Sequence, residues 1–114
     1  MTVAEMAKAL RLITICASEE ALSGRVTGGY CGDLLSWIIG RAEKGQALIT
    51  IMSNPNVAAV AELAELSCVI LAENVSPDEK LRTRAAAEGF PLLSSPESSF
   101  ALAGQLYALL QEKE

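Results

Sequence analysis

Short apolar runs alternate along the chain with segments of helical spacing. The runs are rich in Val, Ile and Leu and are bounded by Gly, Pro, Ser and Asn, so they predict strands. The predicted strands are Arg11–Cys16, Ala47–Met52, Ser67–Ala72 and Phe90–Leu93, with a shorter extended piece that begins at Val26. Because most of these runs are apolar at successive positions, both strand faces should be buried, as in a parallel sheet covered by helices.

Polar residues directly before apolar stripes predict where the helices begin. The predicted N-cap residues are Thr2, Asp33, Asn54 and Ser76. A proline at the next position supports the last two, and Gly89 is expected to end the helix that Ser76 begins. The polar segment 17–25 predicts a turn.

Apolar stripes within the predicted helices indicate which side faces the sheet. One stripe consists of Val57, Val60, Ala61 and Ala64. The stripe of the last helix consists of Phe100, Ala103, Tyr107 and Leu110. Trp37 lies on the helix after Asp33, where a core position is more typical than an interface contact. The pattern predicts a single α/β domain over residues 1–114, with a mostly parallel sheet of roughly four or five strands flanked by helices.

Composition narrows the classes of partner. The chain has 114 residues, of which 51% are hydrophobic and 20% are charged, which suits one packed core. Its net charge is −5 and its nine Lys and Arg residues are scattered, so nucleic acid is not an expected partner. No apolar run reaches the roughly 18 residues that cross a bilayer, and the basic start of a signal peptide is missing. We therefore expect a cytoplasmic protein without a membrane partner.

The chain lacks the residues that most catalytic sites need. It has no histidine, which excludes the usual general base and the Ser-His-Asp triad. Its cysteines, Cys16, Cys31 and Cys68, form no CxxC pair and no zinc-binding set. Cys16 and Cys68 are expected to be inert core thiols, whereas Cys31 lies in a predicted Gly-rich loop and leaves a redox-responsive role open. We expect no enzymatic activity, no metal and no cofactor.

Polar loops follow several predicted strands, and ligands of open α/β sheets bind at such carboxyl ends. The candidate ligand-binding residues are Thr27, Gly28, Gly29, Tyr30, Asp33, Ser53, Asn54, Asn56, Ser94 and Ser95. Of the carboxylates, Asp33 and Glu73 lie nearest to the expected edge. Segment 27–33 reads as a Gly-rich loop without the lysine of a phosphate-binding loop. It suits a neutral group, a ribose or base edge, a neighbouring subunit, or a purely structural turn.

Several motifs resemble the DRTGG-domain family. They include Val26–Tyr30 followed by Gly32–Ser36, the segment Ser76–Glu79, and Gly89–Leu93. The resemblance extends from about residue 5 to residue 110 and is closest to short stand-alone members found near bacterial iron-only hydrogenase genes. The Asp-Arg pair that names the family is missing after the Ala47–Met52 strand, where Ser53–Asn56 stands. Ligand roles of that pair therefore do not transfer.

The resemblance implies a fold like that of the N-terminal domain of HPr kinase/phosphorylase. It also implies a regulatory or sensing role, with an adenine nucleotide or another small effector as the ligand. The alternative is an oligomerisation or protein-interaction module, a homodimer that is accessory to a hydrogenase or another anaerobic redox system. Kinase activity is not expected, because the phosphate-binding domain of the kinase has no counterpart in this sequence.

Overall fold

A computed structural model describes residues 1–113 and contains one five-stranded sheet. The strands are β1 Ile13–Cys16, β2 Gly28–Cys31, β3 Gln46–Thr50, β4 Cys68–Leu71 and β5 Leu92–Ser94. Their order across the sheet is β1-β5-β4-β3-β2. The strands from β2 to β5 pair in parallel, whereas β1 pairs antiparallel with β5. The predicted mostly parallel α/β sheet is thus confirmed.

Six helices cover the two faces of the sheet. They are α1 Val3–Ala9, α2 Glu19–Leu22, α3 Leu35–Arg41, α4 Asn56–Leu63, α5 Glu79–Glu88 and α6 Ser99–Lys113. Helices α1 and α6 pack on the face to which Ile49 and Ile70 point. Helices α3, α4 and α5 pack on the opposite face, against Leu48 and Val69. Within residues 1–113, none of the helices combines the length and apolar character that crossing a membrane requires.

The central strands owe their positions to burial on both faces. Every residue of β4, and every residue of β3 after Gln46, is buried. A fully buried Val, Leu or Ile side chain contributes about 2 kcal/mol relative to an exposed one. A continuous apolar run therefore has its lowest free energy in the middle of a covered sheet.

Local capping signals fix several helix ends as predicted. The Thr2 hydroxyl accepts from the N–H of Glu5 at 3.1 Å, and the Thr2 N–H donates to the Glu5 carboxylate at 2.8 Å. Gly89 ends α5 in the left-handed conformation with φ 67°. The side chain of Asn54 accepts from the N–H of Asn56 at 2.9 Å, but α4 begins at Asn56 with Pro55 as its N-cap, so the predicted N-cap at Asn54 lies one residue too early.

Other predicted boundaries were wrong. Ser76 does not cap α5, because the carboxylate of Asp78 accepts from the Leu81 N–H at 3.0 Å and the helix begins at Glu79. The segment predicted as a turn contains α2, which the Ser18 hydroxyl caps by accepting from Ala21.

The inward face of α6 also differs from the prediction. Leu102 and Leu106 are buried against the sheet, while Phe100 and Tyr107 are 90% and 67% exposed. Both sets of residues have helical spacing, so periodicity alone did not identify the stripe that the sheet covers. Trp37, expected in the core, is 52% exposed.

Candidate functional site

The carboxyl ends of the parallel strands meet at one edge of the sheet, which we call the carboxyl edge. The predicted site residues that lie there are Asp33, Ser53, Asn54, Asn56, Ser94 and Ser95. Glu73 and Thr50 join them. A polar group that is already bonded within the fold is less available to a ligand, so the hydrogen-bond partners at this edge bear on its function.

Asp33 lies between β2 and α3 but does not cap α3, whose N-cap is Leu34 without a side-chain hydrogen bond. Its carboxylate instead accepts from the Thr50 hydroxyl at 2.9 Å and from the Ile51 N–H at 3.1 Å. Thr50 is 1% exposed, and its oxygen also accepts from the Met52 N–H. Asp33 therefore ties the end of β2 to the end of β3, and the predicted capping role was wrong.

The loop after β3 is held mainly by its own polar groups. The Asn54 side chain accepts from the Asn56 N–H just before α4, and the carbonyl of Ser53 accepts from the N–H of Asp78 at 2.9 Å. The second bond joins this loop to the start of α5. Asn56 is the exposed first residue of α4, and its N–H donates to the side-chain oxygen of Asn54. These residues order the loop.

The loops after β4 and β5 are interlocked. Ser95 is 2% exposed, and its hydroxyl accepts from the Glu97 N–H at 3.1 Å. The Glu73 carboxylate accepts from the Ser99 N–H at 2.7 Å, and the Glu73 N–H donates to the Glu97 carbonyl. Glu73 and Asn74 both adopt positive φ, at 62° and 60°, which turns the chain sharply enough for these bonds. Ser94, half-buried, ends β5 beside Leu71.

The structure places the other predicted site residues elsewhere. Gly28, Gly29 and Tyr30 form the edge strand β2 and are not part of a Gly-rich loop. Thr27 lies at the opposite, amino end of the sheet, where its hydroxyl donates to the Lys44 carbonyl at 3.1 Å. A single pocket containing Thr27 and the Ser53 and Ser95 loops is therefore excluded by the geometry.

Carboxylates predominate at the carboxyl edge. Asp33, Glu73, Asp78 and Glu97 lie in its loops. Two cations also lie near this edge, Arg11 just before β1 and Lys80 in the first turn of α5. Among residues 1–113, no group of three His, Cys, Asp or Glu side chains is arranged to hold a metal ion.

A cavity of about 330 Å³ opens beside the loop after β5. Its lining includes Arg11, Ser95, Pro96, Glu97 and Gln105, and Gln105 donates to the Glu97 carboxylate at 2.9 Å. Arg11 was missed in the sequence, although it adopts φ 56° and projects from the turn before β1.

A second, smaller cavity of about 170 Å³ lies between β2 and α6. Gly29 and Cys31 of β2 and Ala103, Tyr107 and Leu110 of α6 line it together with Ile49 and Leu106. Its walls are mostly apolar. We refer to it as the β2–α6 cleft.

The three thiols differ mainly in burial. Cys68 is fully buried, and desolvation raises the pKa of its thiol to about 12. Burial also raises the pKa of Cys16. For the exposed Cys31, desolvation and then the nearby Asp33 charge raise the pKa. A raised pKa disfavours the thiolate, so none of the thiols has the activation that a nucleophilic cysteine needs.

The sheet order and the covering helices define an α/β domain with one mostly parallel five-stranded sheet. The chain belongs to the DRTGG domain family, whose model matches residues 5–109. This confirms the resemblance stated from the sequence. No curated protein matches the chain in sequence.

A solved structure shares the fold. It contains the CBS and DRTGG domains of the regulatory region of Clostridium perfringens pyrophosphatase, complexed with the activator diadenosine tetraphosphate. The superposition has a TM-score of 0.70 at 14% sequence identity and covers 92% of this chain but 45% of that one. This chain thus corresponds to less than half of that regulatory region, and at this identity the likeness shows the fold alone.

Proposed function

We propose that this chain is a non-catalytic regulatory module that acts by associating with a second copy of itself. Membership of the DRTGG family supports the regulatory role, since the similar solved structure is part of a regulatory region. The observation that carries self-association is the exposure of large apolar side chains on α3 and α6. Helix α3 follows the edge strand β2 in the chain, and helix α6 packs on that strand.

The exposed side chains are of the types that dominate protein interfaces. On α3, Trp37 is 52% exposed, and the Arg41 guanidinium lies 3.9 Å from the centre of its ring. On α6, Phe100 and Tyr107 project from the helix. Trp, Tyr and Arg are the most frequent hot-spot residues of interfaces. Singly exposed apolar residues are common, but several large ones on two helices favour a partner.

The hydrogen bonds at the carboxyl edge also favour self-association over ligand binding at that edge. The carboxylate of Asp33, the amide of Asn54 and the hydroxyl of Ser95 each accept a hydrogen bond from the fold itself. A phosphate group at this edge would also meet several carboxylates, which repel it. These residues therefore favour a structural role for most of the site predicted from the sequence.

Sedimentation velocity over a concentration series tests the proposal. We expect a reversible monomer–dimer equilibrium whose dimer fraction rises with protein concentration. At about 1 mM, even a dimer with an association free energy of only about 4 kcal/mol is populated. A chain that stays monomeric up to this concentration would contradict the proposal.

Effector binding is the second candidate, and the cavity beside Arg11 favours it. Its volume of about 330 Å³ falls at the lower end of small-molecule sites, and Arg11 supplies a guanidinium for a phosphate or carboxylate. The ligand predicted from the resemblance is an adenine nucleotide. Diadenosine tetraphosphate is bound by the regulatory region of the similar pyrophosphatase, which makes it the first compound to try.

Thermal melting with AMP, ATP and diadenosine tetraphosphate tests this candidate. A ligand held at 100 times its dissociation constant adds about 2.7 kcal/mol to the free energy of unfolding. We expect Arg11→Ala to abolish the stabilisation and Arg25→Ala, outside the cavity, to preserve it. Equal stabilisation of both variants would show that the ligand does not use this cavity.

The resemblance also predicts a protein partner from a hydrogenase or another anaerobic redox system. No observation on the described residues identifies such a partner. Co-purification from a host that carries those genes, compared with a host that lacks them, would test it.

A further inference from the structure

Strand β2 is an edge strand whose outer backbone is open. The Gly32 N–H donates to the Ile49 carbonyl at 3.2 Å, so the backbone groups of Gly32 face β3. Backbone groups of successive strand residues point to opposite sides, so those of Gly29 and Cys31 face away from β3. Within residues 1–113 no strand pairs with β2 on that side. An open edge of this kind is a template for pairing with another chain.

The opposite edge of the sheet is protected. Strand β1 carries an irregularity between Thr14 and Cys16, where its pairing register with β5 shifts. Bulges of this type interrupt the edge and discourage pairing with a further strand. Strand β2 has no such shift and no charged residue. Of the two edges, β2 is therefore the one that is open to association.

The side chains along β2 leave room for a second backbone. Gly28 and Gly29 have no side chains to displace, and Cys31 is small. The β2–α6 cleft beside them is lined by Ala103, Tyr107 and Leu110, so apolar surface flanks the open backbone. Upstream, Arg25 forms an isolated bridge with Thr2, which limits the open segment to β2 and the residues directly after it.

Charges of opposite sign lie at the two ends of β2. Arg25 precedes the strand, and Asp33 follows it. In an antiparallel pair of two β2 strands, the start of one strand lies beside the end of the other. Each Asp33, whose Oδ1 accepts from Thr50 and Ile51 of its own copy, then lies diagonal to the long side chain of an Arg25 of the second copy. The strand is thus self-complementary under two-fold symmetry.

We infer that two copies of this chain pair through antiparallel β2 strands with Tyr30 on the two-fold axis. This rests on the self-association proposed above. In this register Gly29 of each copy lies opposite Cys31 of the other, and their outward N–H and C=O groups bond each other. The two Tyr30 rings meet on one face, and the two β2–α6 clefts adjoin on the other. The two sheets become one continuous sheet across the axis.

Two matched substitutions test the choice of edge. Cys31→Lys places a charge on the proposed pairing strand, and Ile13→Lys places the same charge on β1, at a position that is 60% exposed. We expect Cys31→Lys to raise the dimer dissociation constant at least about tenfold, the equivalent of losing one or two hydrogen bonds. We expect Ile13→Lys to leave it unchanged, with circular dichroism melts showing that both variants fold.

Chemical cross-linking tests the register. The proposed pairing places the Cα atoms of the two Cys31 residues about 8 Å apart, from the strand rise and the strand spacing. A short bis-maleimide at mildly alkaline pH should therefore link the two chains in a Cys16→Ser background. The control carries Cys31→Ser and Ile13→Cys in the same background and should stay uncrosslinked.

The outcomes separate this inference from the function on which it rests. A monomeric wild-type chain overturns both. A wild-type dimer that Cys31→Lys leaves intact, or that Ile13→Lys disrupts instead, overturns the β2 pairing while self-association stands. Cross-linking through Ile13→Cys but not through Cys31 would also overturn the β2 pairing and leave self-association standing.

Discussion

The bond between Asp33 and Thr50 gives a prediction with a magnitude. Asp33→Ala removes the acceptor of the hydroxyl of Thr50, a residue that is 1% exposed, and the acceptor of the Ile51 N–H. A buried hydroxyl without an acceptor costs about 1–3 kcal/mol, and the exposed Ile51 amide, which water can solvate, adds about 0.5 kcal/mol. We therefore expect a loss of about 2 kcal/mol in the free energy of unfolding, or about 8 °C in Tm for a chain of this length.

A double-mutant cycle in urea isolates the pair. Asp33→Ala, Thr50→Val and the double variant should give a coupling free energy of about 1–2 kcal/mol. Asp33→Asn is the matched control, since its amide oxygen still accepts both bonds, and it should lose less than about 1 kcal/mol. A coupling below about 0.3 kcal/mol would refute the claim that this bond ties β2 to β3, because that is the scatter of independent sites.

Two further predictions concern glycine and cysteine. Gly29→Ala should destabilise the chain by about 1 kcal/mol, because the new Cβ would lie 3.0 Å from Cδ2 of the buried Leu106. Gly40 in α3 has open space around it, so Gly40→Ala should stabilise the chain by about 0.5–1 kcal/mol. Urea unfolding measures the change in the free energy of unfolding for each variant. A change of the same sign in both variants would contradict the packing argument. In native protein near pH 8, a thiol reagent should modify Cys31 well before Cys68, whose pKa is about 12, and Cys68 should react only on unfolding. Peptide mapping after timed quenching checks the order, and early labelling of Cys68 would show that β4 opens readily.

The interior strands could be predicted from the sequence because their signal is local. A continuous apolar run such as 47–49 or 68–71 has no good position other than a doubly covered strand. The helix start at Thr2 and the helix end at Gly89 were also predicted correctly, since each involves a single turn of chain. Family membership followed from motifs along nearly the whole chain.

The position of β2 could not be predicted in the same way. The pair Gly28-Gly29 is a typical turn signal. In the structure neither glycine has positive φ, and β2 uses Gly29 for close approach to Leu106 of α6. That requirement depends on a helix that lies far away in the sequence, so a local pattern does not reveal it.

The candidate site was predicted only in part for a similar reason. Strand-end loops were expected at one edge, and Asp33, Asn54 and Ser95 do lie there. Their hydrogen-bond partners, however, depend on how neighbouring strands pair. Thr50 reaches Asp33 because Cys31 of β2 lies opposite Ile49 of β3. Sequence reasoning identified polar side chains at this edge but not how many of them the fold itself uses.

The antiparallel pairing of β1 with β5 affects the order in which the fold can assemble. Cys16 and the carbonyl of Phe90, which meet at this pairing, are 74 residues apart in the chain. The units from β2 to β5 can each form from nearby sequence as the ribosome releases them, whereas β1 must wait for β5. Closing so long a loop is slow compared with pairing neighbouring segments. The first strand to be synthesised is therefore expected to be the last to enter the sheet.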